Sequence, residues 1–315
     1  MPRPRPQLGL FAQDEIVPPL AFEEEQALAR RLPSYLRFGT SSWTYPGWEG
    51  IVYPARYRVP ELVDQGLALY ARHPLLRTVG VDRYFYDAPK QEEIDSIEAQ
   101  LPEDFPCVVK VWSEITAPVL HGQETPCSTF LDPNFFARRM LVPWGRLLHR
   151  TTFLFEFPPM PERHQIPART FAERLGEFLV ALPRGPRYAV ELRERRLLTP
   201  RYLRALKESG VAHVFNYWGR MPSLQEQLAI PGICTAPFVV CRLMLPPGGD
   251  YEELETRYAP FDRLHRIDEP MRAGVAALAD RCGEEGRELS VLASNKVEGC
   301  APLTIKGIAA LWSSR

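Results

Sequence analysis

Short apolar runs alternate with longer amphipathic stretches along most of this chain. The runs occupy 37–41, 78–82, 107–111, 152–157, 188–192, 212–216, 238–243 and 289–295, and they favour β-branched and aromatic residues. Runs this short and unbroken fit strands buried on both faces, as in a parallel sheet. Between them the spacing predicts helices over 60–71, 91–101, 133–148, 170–181, 200–209, 269–285 and 303–312, with a shorter one near 223–228. Pro60, Pro133 and Pro200 stand where a first helical turn tolerates a missing N–H. Eight strands with intervening helices predict an α/β fold, a closed and irregular (β/α)8 barrel of the TIM type. The rival is an open doubly wound sheet, but the glycine-rich phosphate loop expected after its first strand is missing.

Residues 1–33 break the pattern. They are rich in Pro, Arg and Glu and read as a mobile N-terminal arm, with a short helix near 22–31. The barrel then fills 34–315 as one domain. Hydrophobic residues make up 45% of the chain, which is enough for a sizeable core. The 38 basic and 39 acidic residues nearly cancel, so attraction to an anionic partner must be local. Residues 1–6 lack the apolar segment of a secretory signal, and no apolar run approaches the roughly 20 residues that span a bilayer. The expectation is a soluble, cytoplasmic protein with no membrane partner. The six cysteines include no Cys-x-x-Cys pair, which argues against a zinc knuckle or redox dithiol, and Cys107 and Cys241 read as buried thiols.

Barrels of this type collect chemistry at the C-terminal ends of their strands, and here those ends are polar. The first run ends in Ser41-Ser42-Trp43-Thr44-Tyr45 and the second in Asp82-Arg83-Tyr84. Lys110 and Glu156 close the third and fourth, and Glu191 and Arg193 the fifth. Asn216 lies on the sixth, Arg242 on the seventh, and Asn295 and Lys296 end the eighth. A charge in an apolar strand is costly unless it is paired or used. One reading is therefore a ring of compensating ion pairs closing the barrel. The other is a polar pocket for phosphate, carboxylate or a nucleic-acid backbone. In that pocket Arg83, Lys110, Arg193, Arg242 and Lys296 would hold the anion, with Ser41, Asn216 and Asn295 as further ligand contacts. Trp43 and Tyr45 would stack on a base or sugar, or else plug the barrel end, and Glu156, Glu191 or Asp82 would serve as catalytic acid or base.

No histidine ends a strand, which argues against a multinuclear zinc site. No cofactor is expected, although magnesium held by Asp82, Glu156 and Glu191 stays open. Glu156 and Glu191 end adjacent strands as glycosidase carboxylates do, but Arg242 stands where many barrel glycosidases carry their nucleophile.

The strand ends resemble those of the YecE-like family, a prokaryotic domain of unknown function. The most specific stretch is Phe38-Gly39-Thr40-Ser41-Ser42-Trp43-Thr44-Tyr45-Pro46-Gly47-Trp48, and the similarity continues through 78–86, 154–159, 188–193 and 295–303. The resemblance implies an irregular barrel related to the (β/α)8 type and brings no established activity. Two departures stand out. Many members look like Val-Glu-Ile-Asn on the second strand, where this chain has Val79-Gly80-Val81-Asp82. The fourth strand commonly reads Phe-Gln-Leu-Pro-Pro, against Phe155-Glu156-Phe157-Pro158-Pro159 here.

In the arm, Gln7-Leu8-Gly9-Leu10-Phe11 looks like the short peptide by which bacterial replication and repair proteins dock on the sliding clamp. Gln7, Leu8, Leu10 and Phe11 would be its contacts. Three functional classes follow. The first is a barrel that binds or processes DNA or RNA, a hydrolase or lyase in a repair or replication setting. The second is a metal-independent enzyme on a small phosphorylated or carboxylated metabolite, and the third a clamp-tethered scaffold without activity.

Overall fold

The computed structural model describes residues 20–315; Gln7, Leu8, Leu10 and Phe11 lie outside the described residues. Eight parallel strands close into a barrel in sequence order, with β8 pairing back onto β1. They are β1 (Leu36–Thr40), β2 (Leu76–Val81), β3 (Cys107–Lys110), β4 (Thr151–Phe157), β5 (Arg187–Leu192), β6 (Ala212–Tyr217), β7 (Phe238–Leu243) and β8 (Glu288–Ala293). The expected helices interleave them, at Val59–Tyr70, Gln91–Gln100, Ala168–Ala181, Pro200–Ser209, Leu224–Leu228, Glu269–Glu284 and Ala301–Ser313. This is a (β/α)8 barrel, and no described helix is long and apolar enough to cross a membrane.

Three local differences have physical causes. The single helix expected over 133–148 is broken into Pro133–Phe136, a wide turn over Ala137–Leu141 and a tight one over Gly145–Arg150. Pro143 withholds the N–H that a continuing helix needs. A helix absent from the sequence reading, Tyr251–Tyr258, sits in the connection after β7. Asp250 caps it, accepting the N–H groups of Glu252 and Glu253 at 3.0 and 2.9 Å. Finally, residues 20–33, read as part of a mobile arm, are packed on the barrel. Glu24 and Glu25 of the helix Glu23–Ala29 pair with Lys306 at 2.6 and 2.7 Å, and Ala29 and Leu32 are buried. The apolar stripe of this segment outweighs its polar composition.

Strand phase places the site. Side chains alternate across a strand, and the barrel interior takes every second one. Val108, Leu154, Ala189, Ala212, Val214, Phe238, Val240 and Leu292 form a small apolar cluster of their own, separate from the larger core between strands and helices. Stepping two residues further along the same strands gives Lys110, Glu156, Glu191, Asn216 and Arg242. Stepping back gives Thr152, Arg187, Glu288 and Ser290, which line a small cavity at the opposite end. The interior is thus layered: polar base, apolar middle, charged mouth.

β1 and β2 pack closely enough to constrain the mouth. A Cβ on Gly39 would meet the Thr78 carbonyl oxygen at 2.1 Å, and one on Gly80 would meet Ser41 Cα at 2.8 Å. A side chain at position 80 would therefore require the β1–β2 backbone to shift.

Candidate functional site at the barrel mouth

Six charged side chains converge where the strands end. In strand register Glu156 stands directly beside Glu191, a like-charge neighbour that requires cations between. Two guanidinium groups supply them. Arg193 Nη2 lies 2.8 Å from Glu156 Oε2 and 2.7 Å from Glu191 Oε1. Arg242 Nη1 lies 2.7 Å from Glu191 Oε2 and 3.2 Å from Glu156 Oε2, and its Nη2 holds Asp82. Lys110 Nζ completes the set, 3.0 Å from Glu156 Oε1. The network holds three cations and three carboxylates, so its formal charge is zero. Arg242 and Glu191 are fully buried, Arg193 and Glu156 nearly so, while Asp82 keeps 26% of its side chain exposed.

The electrostatics divide the carboxylates. Burial pushes Glu156 up, but Arg193, Lys110 and Arg242 overcome it and hold the carboxyl well below the usual range. Asp82 moves the other way: burial raises it, Glu156 and Glu191 push it further, and Arg242 and Lys110 only partly offset the rise. Burial also lowers the Arg242 guanidinium, but its three carboxylate neighbours more than reverse this, leaving it firmly charged. Glu156 is thus a fixed anion that positions cations. Asp82, by contrast, is held above the ordinary carboxylate value.

Aromatic rings cover the network. Phe85 lies over Lys110, with Nζ 3.5 Å from the ring centre, and Trp218 stacks on the Arg193 guanidinium at 4.0 Å. Phe85 stands four residues past β2 and Trp218 directly after β6, and neither was among the ligand contacts expected from the sequence. Tyr45 lies on the rim against Phe261, 5.4 Å between ring centres. Burial, then the charges of Glu255, Tyr251 and Asp82, raise its phenol well above the ordinary value, so it stays a neutral donor.

Several donors in the network have no protein partner among the described residues. They are Nε and Nη1 of Arg193, Nε of Arg242 and Nδ2 of Asn295; the Asn216 Oδ1 acceptor is likewise unpaired. Asn216 is held by its amide nitrogen, which donates to the Leu192 carbonyl at 2.6 Å.

The other sequence candidates are placed differently. Trp43 is not a stacking platform at the mouth: it is buried, and its indole donates to the Leu62 carbonyl at 2.9 Å. Arg83 turns to the outside and pairs with Glu93 at 2.7 Å. Ser41 is buried beside Gly80 where β1 passes β2. Asn295 spends its oxygen on the Ala301 N–H at 2.8 Å and the Trp48 indole at 3.3 Å, which fixes the turn after β8. Lys296 is buried, yet its partner Glu255 keeps 46% of its side chain exposed, and Tyr251 lies 4.0 Å from Nζ. Both contacts come from the helix Tyr251–Tyr258 that the sequence reading lacked. Asp250 followed by Glu252 and Glu253, with Leu254 and Tyr258 four apart, was the signal for it.

Among the described residues no three His, Cys, Asp or Glu side chains converge as a metal shell. Asp82, Glu156 and Glu191, weighed for magnesium, are each turned onto a guanidinium instead.

Comparison with known proteins agrees with the barrel. The chain is similar in structure to a DUF72 family protein from Thermotoga maritima, with 18% identity and a TM-score of 0.60, over 88% of this chain and 98% of that one. It is also similar to a DUF72 family protein from Enterococcus faecalis V583, with 18% identity and a TM-score of 0.61, over 87% and 95%. At this identity the likeness speaks to the fold alone. No curated protein matches the chain. The family model described as "Protein of unknown function DUF72" matches residues 37–315, and the chain therefore belongs to the DUF72, or YecE-like, family.

Proposed function

We propose that the barrel mouth binds a small ligand carrying one phosphate or carboxylate group, with Arg193 as anchor and Asp82 as the proton-exchanging group. The observation that carries this reading is the state of Arg193. Its Nη2 is fixed by two carboxylates, while Nε and Nη1, buried, have no partner among the described residues. A buried donor without an acceptor costs about 1–3 kcal/mol, and an oxyanion is the acceptor a guanidinium fits best. Lys296 supplies further positive charge, since its half-exposed partner Glu255 can be exchanged for a ligand anion.

The charge balance favours one anionic group over a polyanion. Nucleic acid lying across the mouth would need a line of free cations, and Arg83, at its edge, is already engaged by Glu93. Fluorescence anisotropy of labelled DNA at two salt concentrations is the test of that rival, and salt-sensitive binding would restore it.

For the small-anion reading the experiment is calorimetric titration with inorganic phosphate across pH. Binding is expected in the wild-type protein and should weaken at least about tenfold in Arg193→Lys, which keeps the charge and loses the planar fork. Because Asp82 is raised, its protonation on acidification removes a negative charge beside the ligand. Binding should therefore tighten as the pH falls through that titration, and Asp82→Asn should bind tightly without this dependence. Absence of phosphate binding in the wild type would defeat the reading.

A further inference from the structure

A cleft of about 780 Å³ opens beside the ion network, walled by the loops that leave β2, β3 and β4. Each wall continues from a network residue. Phe85 and Tyr86 follow Asp82 closely, Trp112 follows Lys110, and Pro158 and Pro159 follow Glu156. The cleft adjoins the mouth at Phe85, which lines the cleft and rests its ring on the Lys110 ammonium. The volume lies in the range of about 300–1,000 Å³ typical of small-molecule sites.

The lining points to the chemistry of an occupant. Near the network it is aromatic and prolyl, offering flat faces and few donors. Tyr86 stands 84% exposed at the lip, and Phe85 meets it only edge-on at 5.3 Å between ring centres. A ring left in water on the wall of a cleft is a ready stacking surface. The cleft also carries the Glu114 carboxylate and, at its solvent edge, Glu124 paired with Arg163 at 3.1 Å. Glu114 disfavours a second anion there, so the part of a ligand that enters carries no second negative charge.

Resting on the mouth reading above, we infer that this cleft takes the planar aromatic portion of the ligand whose anion Arg193 holds. The ligand class is then an aryl or heteroaryl phosphate or carboxylate. Such a molecule spans both regions at once: the anion on the guanidinium, the ring against Tyr86 and the Pro158-Pro159 wall.

The test compares inorganic phosphate, phenyl phosphate and 1-naphthyl phosphate by calorimetric titration. Each aryl ester should bind roughly tenfold tighter than phosphate or better, the gain expected of one aromatic stacking contact. Tyr86→Ser, at a position too exposed to affect folding, should remove most of that gain and leave the phosphate affinity unchanged. Leu120→Glu, which adds a carboxylate to the cleft wall, should do the same by a different route. Three ligands of equal affinity would overturn the cleft assignment while the mouth reading stands. An aryl gain that survives both substitutions would also overturn it. If inorganic phosphate and both esters all fail to bind, mouth and cleft readings fall together.

Discussion

At the base of the barrel Glu288 is shared by Arg37 and Arg187, at 2.7 and 2.8 Å, and all three side chains remain between 29% and 47% exposed. At the mouth Glu156 is shared by Lys110, Arg193 and Arg242, and all of them are close to fully buried. The same alternation along the strands builds both ends, with β5 giving Arg187 to the base and Glu191 to the mouth. Water screens the base, where each pair is worth about 0–1 kcal/mol. The mouth charges have left water, and their attraction offsets a desolvation penalty of several kcal/mol for each ion only through near-complete pairing. Buried networks of this kind can often be replaced by apolar residues of equal volume without loss of stability. The base therefore looks like ordinary surface chemistry, and the mouth like a feature kept for another reason.

The comparison breaks or sharpens under substitution. Arg242→Ala should have the largest effect, about 3–5 kcal/mol lost in urea denaturation, because it leaves Asp82, Glu156 and Glu191 short of countercharge in the interior. Replacing the six charges together by apolar residues of similar size should instead leave stability unchanged or higher while abolishing phosphate binding. If that multiple variant unfolds, the network serves folding, and the contrast drawn between the two ends is lost.

Glu288→Gln, which removes both pairs, should cost at most about 2 kcal/mol. Its effect should also depend on pH with a definite sign. Arg187, and then Arg37, hold the Glu288 carboxyl down to about 2 against partial burial. Above the ordinary carboxylate value its contribution is complete; as the pH falls from about 5 toward 2 the unfolded chain takes up the proton first and the contribution is lost. The stability gap between wild type and Glu288→Gln should close over that window. A gap as large as that of Arg242→Ala would show the base to be as tightly coupled as the mouth.

Much of this was legible in the sequence. All eight apolar runs are strands, and the helices expected over 60–71, 91–101, 170–181 and 200–209 form within two residues of their expected ends. The strand-end residues Asp82, Lys110, Glu156, Glu191, Arg193 and Arg242 do meet. What the sequence could not show was phase, since a slip of one residue inverts every inward assignment. Trp43, in the loop after β1, read as a mouth aromatic although its indole is spent on Leu62, while Phe85, in the loop after β2, and Trp218, directly after β6, were given no contact. Pairing was equally hidden. Nothing in the local sequence links Lys296 to Glu255, or Arg83 to Glu93 rather than to a ligand.

The apolar middle layer has a consequence of its own. Val108, Leu154, Ala189, Val214, Val240 and Leu292 separate the two charged ends. On β5 alone three residues lie between Arg187 and Glu191, and the four steps span about 13 Å of extended strand. At that separation, with no shared partners, substitutions add independently to within about 0.5 kcal/mol. The barrel behaves as an insulated rod: specificity at one end can drift without retuning the other.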